Sequence, residues 1–166
     1  MHPITLPDVA IIPATKADLD RIVQIAQDSF SFPWTRKMFE AELSGNPFAA
    51  LVTAQVQDRE HSHTPSSTIL GYLCYWIVFD ELRLMDLAVD PSVRRRSVAR
   101  MLVNHALRVA DEAGVLRAVL EVRASNQPAQ ALYEHFGFRP VTRRMSYYTQ
   151  PTEDAILMEL SPLTLS

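Results

Sequence analysis

Glycine is scarce in this chain of 166 residues. Its four glycines, Gly45, Gly71, Gly114 and Gly137, lie far apart in the sequence. A Rossmann dinucleotide-binding fingerprint and a phosphate-binding P-loop both need clustered glycines, so neither site is expected. Gly114 and Gly137 each follow a helical pattern, where a left-handed residue is expected to end the helix.

Cysteine, long apolar runs and excess positive charge are also lacking. The single cysteine, Cys74, excludes an internal disulfide and fits a reducing cytoplasm. No apolar run approaches the ~20 residues that a membrane span needs, and the first residues, MHPITLPDVA, are not typical of a signal peptide. The net charge is −3, whereas sequence-independent binding to nucleic acid needs a basic surface. We therefore expect neither a membrane nor nucleic acid as a direct partner.

Length and hydrophobic patterning predict one α/β domain. The composition, 48% apolar and 21% charged, is ordinary for a globular protein large enough to bury its own core. Strand patterns in series, followed by alternating strand and helix patterns, predict a mixed, mainly antiparallel sheet with helices on both faces. Strands are predicted at residues 9–13, 48–55, 68–79, 82–89, 117–123, 139–148 and 155–160, and helices at 16–29, 35–43, 97–113 and 127–136. The core is expected to span about residues 11–160, with a polar hairpin loop at about 57–67.

Residues 90–113 are the most informative part of the chain. The turn signal Asp90-Pro91 closes an apolar strand, and three arginines follow directly. The next segment has apolar positions at helical spacing, namely Val98, Leu102, Ala106, Val109 and Ala113. A strand that turns into a helix N-terminus directs unpaired N–H groups and the positive dipole end at one point. Beside arginines, that point is an anion site suited to phosphate, with a solvated arginine run as the alternative.

Several further segments share a pattern with a known enzyme superfamily. They are FPW at residues 32–34, LAVDP at 87–91, VLEVRASN at 119–126, NQPAQALYEHFGF at 126–138 and RRMSYY at 143–148. Together they resemble the GCN5-related N-acetyltransferase (GNAT) superfamily, and within it the bacterial ribosomal-protein-alanine N-acetyltransferases. The resemblance runs from about residue 11 to residue 160. It implies the GNAT acyl-CoA N-acyltransferase fold, acetyl-CoA as co-substrate and no metal.

The resemblance places coenzyme binding at the arginine-rich turn. The superfamily pattern Q/R-x-x-G-x-G/A cradles a pyrophosphate, and here Ser97 replaces its usual glycine. Glycine lets a phosphate approach and tolerates unusual backbone dihedral angles, whereas a serine hydroxyl can itself bond a phosphate oxygen. The implied coenzyme-binding residues are Leu87, Ala88, Val89, Arg94, Arg95, Arg96, Ser97, Val98, Ala99, Arg100 and Asn126. The strand 87–89 is expected to present its backbone to the pantetheine arm, and Asn126 also to cap the following helix.

Glu121 is the expected general base, acting through water, as the resemblance implies. It lies in the apolar strand VLEV, where a charge is costly unless it is used. The alternative is a structural ion pair with Arg123 or with a neighbouring strand. Tyr133 is, by the same resemblance, the general acid for the departing thiolate. The alternative there is packing in an apolar stripe of its helix, formed by Ala129, Leu132 and Phe136.

The acceptor is expected to be a protein N-terminus. The resemblance implies that Phe32, Trp34, Tyr147 and Tyr148 line a peptide groove, with core packing as the alternative for each. An α-amine has a reference pKa of ~7.7–8.0 against ~10.4 for lysine, so a carboxylate base suits the former better. The resemblance favours the N-terminal alanine of a small-subunit ribosomal protein. A lysine or small-amine acceptor remains an alternative, as does a coenzyme-binding partner or sensor module with little turnover.

Overall fold

The computed structural model describes residues 8–57, 68–95 and 97–163. Arg96 and most of the predicted polar loop lie outside the described residues. The strands are β1 Val9–Pro13, β2 Ala49–Val56, β3 Thr68–Val78, β4 Glu81–Val89, β5 Arg117–Arg123, β6 Arg139–Thr149 and β7 Thr152–Leu160. The helices are α1 Leu19–Ser29, α2 Arg36–Ser44, α3 Val98–Glu112 and α4 Gln127–His135. No helix among the described residues is long and apolar enough to span a membrane.

The strands form one mixed sheet in the order β1-β2-β3-β4-β5-β7-β6. β1 is antiparallel to β2, and β7 is antiparallel to both β5 and β6. β4 and β5 are parallel, which requires a crossover connection, and α3 supplies it. The predicted mixed α/β sheet is therefore confirmed.

Most element boundaries lie within one residue of the prediction, but two differ by three residues for local reasons. The helix predicted from residue 16 begins as a 3₁₀ turn at Lys16–Asp18, and α1 starts at Leu19. The backbone N–H of Thr15 donates to Asp18 at 2.9 Å, which fixes this first turn. The last strand, predicted from residue 155, already begins at Thr152 because it pairs with Thr149 across a tight hairpin.

The described residues pack as two compact units. One comprises the described residues of Met1–Cys74 and Asp86–His105, and the other those of Tyr75–Met85 and Ala106–Ser166. The largest buried side chains of the first unit are Leu19, Ile22, Ile25, Phe39, Tyr72, Leu73, Leu102 and Val103. Those of the second are Leu82, Leu107, Phe138 and Met158. β3 and β4 each contribute residues to both units.

The apolar face of α3 differs in part from the predicted one. Its buried residues are Val98, Leu102, Val103, Ala106, Leu107 and Ala110. Of the five apolar positions that the helical spacing predicted on one face, Val109 is half-buried and Ala113 is exposed, so the buried face does not include them. The buried line advances in steps of four from residue 98 to residue 110, which leaves Val109 at its edge. Ala113 lies beyond the last residue of the helix, and Gly114 follows it with a left-handed φ of 76°.

Candidate active site

The end of β4 and the turn after it form a well-anchored segment. Ala88 and Val89 are buried, and the chain then enters a 3₁₀ turn at Pro91–Val93. Asp90 accepts a hydrogen bond of 2.9 Å from the backbone N–H of Ser92 and forms an ion pair with Arg21. These interactions hold the pKa of Asp90 below its usual value, and the hydrogen bond from the Ser92 backbone makes the largest contribution. The predicted coenzyme segment therefore starts from a fixed backbone position.

The arginines after this turn have different roles. The Arg94 guanidinium donates to the carbonyl of Val89 at 3.4 Å and to the hydroxyl of Ser29 at 3.2 Å. Its side chain is thus bound to the protein itself. Arg95 and Arg100 are exposed, and no described carboxylate lies within ion-pair distance of either. Among the described arginines of this segment, these two guanidinium groups are available to an anion.

Ser97 has the backbone geometry that favours glycine. Its φ is +65°, in the left-handed region, and the φ of Arg95 is also +65°. The carbonyl of Ser97 accepts a hydrogen bond of 3.0 Å from the N–H of Met101, so Ser97 directly precedes the first turn of α3. A side chain in this region costs roughly 1 kcal/mol, which glycine avoids. The departure from the superfamily pattern therefore falls at a position where a Cβ atom is strained.

Glu121 is a partly exposed carboxylate on β5, and residues of β6 surround it. Its side chain is 20% exposed, and the nearest Arg144 nitrogen, Nη1, lies 3.5 Å from Oε1. The pKa of Tyr147 is raised, first of all by a hydrogen bond to Glu121. Burial and the negative charge of Glu121 raise the pKa of Tyr148 to about 12. Glu121 thus has an ion-pair partner, but this partner lies on β6, which is not adjacent to β5, rather than at Arg123 or on a neighbouring strand as considered from the sequence.

Arg123, the other ion-pair partner considered for Glu121, is engaged elsewhere. Its guanidinium lies 3.4 Å from the carboxylate of Glu153. It also lies over the ring of Tyr148, 4.1 Å from the centroid. Arg123 therefore helps to position Tyr148, and a structural pair between Arg123 and Glu121 is not among the salt bridges formed.

A β-bulge brings the two tyrosines of β6 together. Successive side chains of a regular strand point to opposite faces. Here the register shifts between Arg144 and Tyr148, and Ser146 has a φ of +49°. The N–H of Ser146 donates to Asp154 at 2.7 Å, which holds the bulge. As a result the rings of Tyr147 and Tyr148 pack edge to face, with their centroids 5.1 Å apart. The negative charge of Glu121 raises the pKa of both hydroxyls.

Tyr133 is the buried residue of α4. It is 8% exposed, and its ring packs edge-on against Phe138 at 5.8 Å. The three residues predicted to form the core stripe, Ala129, Leu132 and Phe136, are only half-buried, so that prediction was wrong. Within α4 the buried side chain is that of Tyr133, so this short helix packs through its tyrosine. The predicted cap is confirmed, because Asn126 accepts a hydrogen bond of 3.2 Å from the N–H of Ala129.

The FPW segment separates into an exposed and a packed aromatic. Phe32 is 58% exposed. Trp34 is half-buried and packs on Phe39 at 5.5 Å, and Phe39 in turn meets Tyr72 at 5.3 Å. Core packing therefore accounts for part of the Trp34 side chain, whereas Phe32 remains open to a ligand.

The sequence reasoning missed Asp86, which lies immediately before the strand segment 87–89. The hydroxyl of Tyr72 donates to its carboxylate at 2.8 Å, and burial raises the pKa of Asp86 to about 6. Nearby, burial also raises the pKa of the Cys74 thiol, whose sulfur lies 3.9 Å from Glu42. The signal was present in the sequence, because Asp86 interrupts the apolar run LRLMDLAV as Glu121 interrupts VLEV.

Comparison with known proteins identifies the family. A model described as the acetyltransferase (GNAT) family matches residues 19–138. The chain belongs to this family. The [ribosomal protein bS18]-alanine N-acetyltransferase of Salmonella typhimurium is 37% identical over 145 residues, which cover 86% of this chain and 90% of that protein. The Escherichia coli protein of the same name is 35% identical over 145 residues, with the same two coverages.

The fold agrees with a solved structure of the same type. The crystal structure of the ribosomal-protein-S18-alanine N-acetyltransferase from Escherichia coli matches with a TM-score of 0.79 and 31% identity, covering 95% of this chain and 96% of that chain. The resemblance and the fold predicted from the sequence are thereby confirmed. Among the described residues, no three His, Cys, Asp or Glu side chains group as metal ligands.

Proposed function

We propose that this chain transfers the acetyl group of acetyl-CoA to the α-amine of a protein N-terminus. The observation that best supports this proposal is the position of Glu121. It is a partly exposed carboxylate that lies close to the two tyrosines of the β6 bulge. The relatives that match nearly all of the chain are named for acetylating the alanine of ribosomal protein bS18. We therefore propose the N-terminal alanine of that ribosomal protein as the acceptor.

The start of α3 fits the pyrophosphate of coenzyme A. The first N–H groups of a helix have no intrahelical acceptor, and here they belong to Val98, Ala99 and their neighbours. Arg95 and Arg100, which form no ion pair with a carboxylate of the described residues, supply positive charge next to them. The backbone of residues 87–89 would hold the pantetheine arm, and Asn126 would add a contact. Bound acetyl-CoA supplies the activated acetyl thioester.

Two side chains would then move the protons. Glu121, through a water molecule, accepts a proton from the α-ammonium group and leaves a nucleophilic amine. The amine nitrogen forms a bond to the acetyl carbon while the carbon–sulfur bond breaks, and the second proton that the nitrogen loses returns through water to restore the Tyr133 hydroxyl. The hydroxyl of Tyr133 donates its proton to the departing thiolate, since a phenol and a thiol have comparable reference pKa values of ~10 and ~8.5.

The aromatic side chains would receive the acceptor peptide. Phe32 and Tyr147 are 58% and 46% exposed, which leaves their rings accessible to a peptide. Trp34 and Tyr148 are half-buried and would support them. A carboxylate base favours an α-amine over a lysine amine because the α-amine has the lower reference pKa, ~7.7–8.0 against ~10.4.

The proposal extends to the functional core and its location. We propose that residues 11–160 form the catalytic domain, a range that contains the family match at residues 19–138. A cytoplasmic location is proposed with it, because the acceptor is a ribosomal protein and the single cysteine, Cys74, is a buried free thiol.

Mass spectrometry of peptides incubated with the protein and acetyl-CoA tests this function. A peptide that begins with the N-terminal sequence of bS18 should gain 1 acetyl group on its α-amine. Acetylation of lysine alone would favour the lysine alternative. Tight binding of acetyl-CoA without transfer to any peptide would favour the sensor alternative.

A further inference from the structure

Arg144 reaches Glu121 across an intervening strand. Arg144 lies on β6 opposite Ala155, and Glu121 lies on β5 opposite Leu157, so β7 separates them. Neighbouring strands are about 4.8 Å apart, so the two backbones are separated by roughly twice that distance. The long arginine side chain spans the gap and brings Nη1 within 3.5 Å of the carboxylate.

The surroundings of this contact are suited to a cation. The Arg144 guanidinium carbon lies 5.6 Å from the centroid of the Tyr147 ring, and the negative charge of Glu121 contributes to the raised pKa of the Tyr147 hydroxyl. A carboxylate beside an aromatic face attracts an ammonium group as well as a guanidinium group. Arg144 is 50% exposed and Tyr147 46% exposed, so solvent and a peptide can reach both.

The ion pair is weak enough to be exchanged. Exposed pairs contribute little to stability, and an oxygen–nitrogen distance of 3.5 Å is longer than a charge-assisted hydrogen bond. The adjacent Arg143 is bound more firmly, because its Nε lies 2.6 Å from Asp154.

We propose that the α-ammonium group of the acceptor takes the place of Arg144 beside Glu121 and the face of Tyr147, with the water that carries its proton between it and the carboxylate. Arg144 is then an intramolecular competitor that occupies the acceptor's amine position in the free enzyme. The Arg144 side chain moves into solvent when a peptide binds. The strength of its ion pair with Glu121 sets the affinity of the enzyme for a peptide with a free α-amine. This inference rests on the proposed function, because it assigns Glu121 to the acceptor amine.

Steady-state kinetics of Arg144→Gln tests the inference, with Arg143→Gln as the matched control. Both substitutions remove one positive charge from neighbouring positions on β6, but only the first removes the competitor. With an alanine-initiated peptide, Arg144→Gln should lower KM about two- to fivefold, the range that an exposed ion pair allows. Its kcat should stay near the wild-type value, and Arg143→Gln should leave KM unchanged.

A blocked peptide supplies the second readout. The same peptide with an acetylated α-amine has no ammonium group, so its inhibition constant should be equal for wild type and Arg144→Gln. A KM that rises or stays unchanged in Arg144→Gln would overturn the inference, as would equally tighter binding of the blocked peptide. If the wild-type protein acetylates the peptide, such a result leaves the proposed function intact. If the wild type binds acetyl-CoA but acetylates no α-amine, both proposals fail.

Discussion

Tyr72 donates a hydrogen bond of 2.8 Å to Asp86, a half-buried carboxylate one residue before the proposed coenzyme strand. Burial raises the pKa of Asp86 from 3.8 to about 6, and the tyrosine bond only partly offsets this. The folded protein therefore binds this proton more tightly than the unfolded chain. Below pH 4 the protonated carboxyl contributes its full stability, and that contribution is lost as the pH rises through 6.

Asp86→Asn should consequently gain stability relative to wild type as the pH rises. The amide keeps an oxygen for the Tyr72 hydroxyl but carries no charge. Between pH 5 and pH 8, the difference in the free energy of unfolding should move by about 1–2 kcal/mol in favour of the variant. Denaturant unfolding at the two pH values measures it.

Asp154→Asn is the control, because its stability relative to wild type should change with pH in the opposite direction. The backbone N–H of Ser146 and the guanidinium of Arg143 hold the pKa of Asp154 below its usual value. That variant should lose stability relative to wild type at pH 8, and the loss should shrink as the pH falls. Equal pH profiles for Asp86→Asn and wild type would contradict the burial of a charge at Asp86.

Ser97→Gly should stabilise the protein. The serine has a φ of +65°, and glycine adopts this conformation without a Cβ clash. After the greater entropy of glycine in the unfolded chain is subtracted, the gain should be about 0.5 kcal/mol, seen as a higher Tm. Ser97→Ala keeps the Cβ and should show no gain.

The same two variants separate the roles of the hydroxyl and the backbone in coenzyme binding. Calorimetry should show that acetyl-CoA binds Ser97→Gly at least as tightly as wild type. A marked loss in both Ser97→Gly and Ser97→Ala would instead show that the hydroxyl is a phosphate ligand.

Reversal of the two unpaired arginines should weaken acetyl-CoA binding. Arg95→Glu with Arg100→Glu places negative charge beside the start of α3, and the affinity should fall about tenfold or more. The loss should be larger at low salt, because screening is weaker there. Arg108→Glu, an exposed charge reversal further along α3, is the control and should bind nearly normally. Equal affinities for all the proteins would remove the coenzyme from this turn.

Tyr133→Phe should lower kcat with little effect on acetyl-CoA affinity. The ring is buried against Phe138, and phenylalanine preserves that packing while it removes the hydroxyl. A loss of about 10²-fold or more is expected if the hydroxyl protonates the leaving thiolate. A variant with an unchanged Tm and wild-type kcat would leave Tyr133 with packing alone.

The sequence predicted the sheet, the four helices and the Asn126 cap because each has a local signal of periodicity or hydrogen-bonding chemistry. It could not predict which arginine meets Glu121. That pairing depends on strand order, since β7 separates β5 from β6 although it follows β6 in the chain. The stripe of α4 was misassigned because tertiary packing buries the tyrosine and leaves its more apolar neighbours half-exposed.

Ser97 shows a second limit of prediction from the sequence, namely the backbone conformation of a residue. Its departure from the superfamily pattern was visible in the sequence, but the left-handed φ that makes it consequential was not. Similarly, a regular strand would place the side chains of the adjacent Tyr147 and Tyr148 on opposite faces. Only the bulge at Ser146 brings the two rings into contact.

The site and rate of acetylation on a peptide that carries both a free N-terminal alanine and an internal lysine decide whether the enzyme acts on an α-amine through Glu121. Fragment-ion mass spectrometry should locate the acetyl group on the α-amine, with a rate that rises near pH 7–8. Glu121→Gln should lower kcat/KM for this product by ~10²–10⁴-fold, whereas Glu134→Gln, an exposed control on α4, should not. Acetylation confined to the lysine, or an undiminished rate in Glu121→Gln, would contradict the account.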